Sequence, residues 1–256
     1  MKALLFVTVC LMCLLLDSSV PAFAQTQPAT AVQGDSDSDG AKAKEAEIQK
    51  GMRNLGMSMS FFYKKPDAKV FEKINRVIDQ NEETILKASK RNRFNVIAAT
   101  FLARVHEKHK FPVTSQGQIG ELARAILAKD KDNKDAAFVN DPKMITGSKL
   151  DSWWISFSAT GDTKYVESIL NVTGNPKTKK VNGQFDIPVV AAANWSFKSN
   201  CRLHKPVFEF AVKASKQDKW AAQKPFLEHC VESAKAKTSK DPAKTNEKST
   251  TAKSKS

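Results

Sequence analysis

Between Ile48 and Val231 the large apolar residues recur at intervals of three and four. That spacing puts them on one face of a 3.6-residue helix, so the core must be made of packed helices. One stripe runs Ile48, Met52, Leu55, Met59 and Phe62, and another runs Val70, Phe71, Ile74, Val77 and Ile78 after a Pro66-Asp67 start signal. Phe94, Ile97, Phe101, Leu102 and Val105 make a third. The fourth, Ile119, Leu122, Ala123, Ile126 and Leu127, is preceded by Ser115 and Gln118 at the spacing of a capping box.

The stretch Lys129 to Lys149 is charged, holds Asp141-Pro142 and Gly147, and reads as the joint between two halves. Leu150, Trp153, Trp154 and Phe157 then share a helix that Gly161 can end in a left-handed conformation, and Asp162 can cap the next, with Tyr165, Val166, Ile169 and Leu170. Gly174 to Ile187 is a basic loop with a small hairpin at Asn182-Gly183; Pro188 and Pro206 open further helices, and Phe226, Leu227, Cys230 and Val231 mark the last. Aligning Asp67 with Asp162 superposes Phe62 on Phe157, Lys69 on Lys164, Ala98-Ala99 near Ala191-Ala192, and His109 on His204. The expected fold is therefore all-α: stacked antiparallel helical hairpins in two related halves, about 45–128 and 148–232.

The ends differ in composition. Met1 to Ala24 has Lys2, an apolar run from Ala3 to Leu16 and Ala22-Phe23-Ala24, the pattern of a cleaved secretory signal peptide. The run is shorter than the roughly 20 residues a bilayer core requires, so no transmembrane segment is expected after cleavage. Residues 25–44 hold almost no large apolar side chain and read as a disordered linker, and 233–256 read as a disordered lysine-rich tail. The formal charge is +14, and an exported, periplasmic or secreted location follows from the signal. Two cysteines remain after cleavage, Cys201 and Cys230; in an oxidising compartment they are expected to pair, closing a loop worth roughly 3–4 kcal/mol.

Several constellations approach a known chemistry. Asp35-Ser36-Asp37-Ser38-Asp39-Gly40 matches the first half of a calcium loop, but Ala46 stands where the closing Glu is needed. His106 and His109 are three apart, whereas the zinc-protease helix separates its histidines by four. Cys201, His204, His229 and Cys230 offer structural zinc ligands, yet the disulfide is favoured by compartment. No metal site and no cofactor are expected. Ser196, Asn200 and His204, spaced by four, form a polar stripe that either packs or contacts a ligand; no acid stands ready to orient His204 for catalysis. Trp153 and Trp154 are about 100° apart on their helix, so either packed helices cover both or one faces a partner.

Phe157-x-Ala159-Thr160-Gly161-Asp162-x-Lys164-Tyr165, with Ala192-Ala193-x-Trp195-Ser196-Phe197-x-Ser199-Asn200 and then His204, resembles a group of uncharacterised exported bacterial all-helical proteins, over roughly Phe61 to Ala214. The resemblance implies an exported helical protein with a Trp-Ser-centred helix and no specific activity. Likeness to tetratricopeptide stacks is looser, because the spacing does not repeat at roughly 34 residues. The expected role is a protein-binding or scaffold module, with Trp153, Trp154, Trp195, Ser196, Asn200 and His204 as possible ligand contacts. One alternative is electrostatic attachment of the basic surface and tail to an anionic envelope polymer, a lipid surface or nucleic acid, the last disfavoured because lysine outnumbers arginine 34 to 7. Another is an enzyme of unrecognised type, carried only by the Ser196, Asn200 and His204 stripe.

Overall fold

The computed structural model describes residues 50–92, 94–132, 145–174, 180–181 and 185–238. The expected signal segment, the expected linker with its half calcium loop, most of the 129–149 stretch and the chain beyond Thr238 lie outside them. The regular structure of the described residues is helical apart from one antiparallel pair of two-residue strands, and the chain divides into two compact units between Tyr165 and Val166.

In the first unit, α1 (50–60) leads through a 3-10 turn, Phe62–Lys64, into α2 (Ala68–Gln80), α3 (Glu82–Asn92), α4 (Phe94–His109), α5 (Gln118–Asp132) and α6 (Gly147–Thr160). The helix α4 is buried on every side from Ala98 to Val105, because α5 and α6 both pack on it. Phe62 sits at 5.5 Å, edge to face, on Phe101 and at 6.1 Å from Phe71, giving the core an aromatic centre. Since α6 packs on α4, its residues belong with the first unit, and the division falls later than the charged joint at 129–149.

The local start and stop signals have two outcomes. Asp67 caps α2 through the N–H groups of Lys69 and Val70, and Asp162 receives the N–H of Lys164 at 3.0 Å, so each aligned aspartate accepts the N–H two residues on. Gly161 closes α6 at φ 70, where a Cβ would also fall 3.4 Å from the Cβ of Tyr63. The repeat does not extend to burial, because Ala98 and Ala99 are in the core while Ala191 is exposed. The capping box at Ser115 is not formed. Glu82, on α3, accepts the N–H of Ile119 at 2.9 Å, and the Ser115 hydroxyl instead donates to Asp79 at 2.5 Å. A carboxylate reaching across from another helix displaces the local cap because Gly117 carries no side chain in its path.

Across the division lies α7 (Lys164–Leu170). The second unit then contains strands β1 (Lys180–Val181) and β2 (Phe185–Asp186), paired antiparallel, followed by α8 (Ile187–Leu203), α9 (Lys205–Ala214), a 3-10 segment Asp218–Gln223 and α10 (Lys224–Thr238). The turn at Asn182-Gly183 lies outside the described residues. The three long helices pack on one another around Val190, Ala193, Phe197, Val207, Ala211, Leu227 and Cys230. Helix α10 runs past Glu232, where the tail was expected to begin, since Ala and Lys favour helix and Ala234 is buried.

Candidate functional site

The residues that suggested chemistry are mostly consumed by structure. His106 Nδ1 lies 2.8 Å from the carbonyl oxygen of Phe111, and His109 Nε2 lies 3.2 Å from that of Ala159, so both imidazoles serve the end of α4. Glu107 is engaged by Arg104 at 2.6 Å. Among the described residues no group of three His, Cys, Asp or Glu side chains could hold a metal ion.

Trp153 and Trp154 are both buried, at 2% and 5% exposure, so neither presents its ring to a partner in this structure. On α8 the polar stripe turns inward: Ser196 and His204 are buried, the Ser196 hydroxyl donates to the Ala193 carbonyl at 3.1 Å, and Asn200 Nδ2 donates to that of Ser196 at 2.9 Å. These are bonds of a helix to itself, which short polar side chains make when no external partner competes. His204 becomes the N-cap residue of α9.

Cys201 and Cys230 are free thiols, which corrects the expected disulfide. Both are buried on packed helices α8 and α10, where they act as small apolar side chains. Burial pushes the Cys201 thiol up to about 11; burial, reinforced by Cys201 itself, pushes Cys230 up to about 12, against an ordinary 9.0.

Apolar side chains are exposed in both units, Met57, Val70 and Val96 in the first and Trp195 in the second, and an open apolar groove lies on the second. Helix α9 holds more apolar residues than one face can bury: Val207, Ala211 and Ala214 are in the core, while Phe208, Phe210 and Val212 are half-buried. Phe208 and Val212, one turn apart, line an open groove of about 460 Å³ with Glu209, Lys213, Lys216 and Gln217. Lys205 engages Glu209 at 3.6 Å. Neither Phe208 nor Val212 stood out from the sequence, although the crowding of apolar residues on so short a helix was a readable signal. Trp195 on α8 is 45% exposed, and of the six proposed contact residues it is the one that faces solvent most.

The fold and these surfaces define an all-α protein with an open helical face. Residues 20–145 match the family described as "Uncharacterized protein YfbK, C-terminal", a span of just under half the chain. The stretch carrying the Phe157 to His204 pattern lies beyond that match. No curated protein and no solved structure matches the chain.

Proposed function

We propose that the chain is an exported helical module that binds another protein through the α9 groove. The observation that carries this reading is the pair Phe208 and Val212, apolar side chains left half-buried one turn apart in an open cleft. A monomer gains nothing by leaving such side chains in water, whereas a partner helix inserting its own apolar residues removes that surface on both sides. Lys213 and Lys216 at the rim outnumber Glu209, which Lys205 already engages, so the fitting occupant is an amphipathic helix with acidic flanks. Export rests on the Met1 to Ala24 pattern. Among the described residues no helix is long and apolar enough to cross a membrane.

The test is a photo-reactive amino acid placed at Lys213 on the groove rim, in the full chain within its native cell. The expected result is one recurrent protein adduct, lost when Phe208→Asp is added and retained when residues 239–256 are removed. Adducts that persist in Phe208→Asp, or that vanish with the tail, contradict the reading.

A further inference from the structure

Trp195, Lys198 and Arg202 stand at intervals of three and four on α8, within roughly 60° of one another around the helix. Trp195 and Arg202 are exposed and Lys198 is half-exposed. Among the described residues neither cation is paired with an acid. Lys198 Nζ bonds His229 Nε2 of α10 at 2.7 Å, and Arg202 donates to the hydroxyl of Ser233, also on α10, at 2.8 Å. Neither partner is a carboxylate, and one such bond leaves each cation most of its N–H donors for a ligand. Glu228 and Glu232 are exposed on α10, and neither lies within ion-pair distance of Lys198 or Arg202.

Two like charges one helical turn apart repel by a few tenths of a kcal/mol. The helix dipole accounts for Arg202 beside the C-terminus of α8, but it gives no reason for Lys198 or for an indole ring left in water three residues before it. Together they form an aromatic platform followed by two cations on a rigid surface made by two packed helices.

We propose that this strip of Trp195, Lys198, Arg202 and His229 is a binding site for an acidic glycan, a chain of sugar rings carrying carboxylates. The two cations are about 6 Å apart along the helix axis. They suit separate single charges on successive rings rather than the converging donors that gather one dianion. The indole offers its face to the C–H face of a sugar, and Trp195 to Arg202 spans about 10 Å, the length of a disaccharide. A single-stranded nucleic acid would instead call for a succession of stacking rings. The strip shares no residue with the α9 groove, so it does not depend on that reading.

The experiment titrates full-length protein with a polyuronate oligosaccharide, a neutral glucan of equal length, a single-stranded DNA and an acidic peptide, using calorimetry at two salt concentrations. The expected result is saturable binding of the polyuronate alone. Affinity should fall roughly tenfold in Trp195→Ala, by at least as much in a Lys198→Gln/Arg202→Gln double variant, and not at all in Phe208→Asp. These side chains lie at the surface, so the helical circular dichroism of each variant should match the parent. Unchanged affinity in both strip variants would overturn the proposal by assigning the binding to diffuse charge. So would absence of binding, or tighter binding of single-stranded DNA or an acidic peptide through the same residues.

Discussion

Glycine at 161 shows how a single residue decides a turn. Its φ of 70 lies in the left-handed region, which residues with a Cβ enter only at a cost, and Tyr63 closes the space beside it. Gly161→Ala should therefore lower stability by about 1–2 kcal/mol, read as a shift in the urea midpoint. The two cysteines behave in the opposite sense to what their number and compartment suggested. Their count was legible in the sequence, but whether two thiols face each other for bonding depends on side-chain directions set only when α8 and α10 dock. Free, buried thiols with raised pKa values should react slowly with a maleimide at pH 8 and fast once the chain is unfolded; two linked sulfurs in native protein would contradict this. The sign of their pH linkage follows. Both groups bind protons more tightly folded than unfolded, so the stability they contribute is complete below about 9 and is lost as pH rises through about 11 to 12. Thermal melts across that window should show a decline that Cys201→Ala/Cys230→Ala flattens.

Helices were readable because apolar periodicity is a property of each segment alone: the stripes through Phe71, Phe101, Ile119 and Tyr165 became α2, α4, α5 and α7. Capping by Asp67, Gly161 and Asp162 was readable for the same reason, since partner and cap lie within a few residues. The start of α5 was not, because its cap comes from Glu82, 37 positions back along the chain. The extended segment before α5 is held the same way, with the N–H groups of Thr114 and Ser115 both donating to Asn75 Oδ1 at 3.1 Å. Asn75 is itself buried and donates to the Phe71 carbonyl. Asn75→Ala leaves two backbone donors without an acceptor and should lower stability by about 1–3 kcal/mol, with faster amide exchange confined to 113–120. Exchange rates that rise uniformly along α4 and α5 would show that the segment is not an independent clamp. The stripe Ser196, Asn200 and His204 left two readings open for a related reason: helical spacing reveals which residues share a face, but not whether that face meets solvent or another helix.

At the scale of the molecule, burial sorts the candidates. The first unit buries Trp153 and Trp154, leaves His106 and His109 half-buried, and has an aromatic centre where Phe101→Ala should cost about 3–5 kcal/mol without altering any surface contact. The second unit leaves the α9 groove and Trp195 to solvent, and these exposed surfaces carry the functional account. Charge alone offers a rival, since residues 239–256 hold five lysines against two acids. Salt separates the two: exposed charges are screened over roughly 8 Å at physiological ionic strength, whereas buried apolar contacts persist. The most direct test measures retention of the cross-linked partner on immobilised full-length protein, on Phe208→Asp and on protein ending at Thr238, each at low and at high salt. Salt-resistant retention by the full-length and shortened forms, lost in Phe208→Asp, is the predicted result; retention that disappears with salt or with residues 239–256, and is indifferent to Phe208, would contradict it.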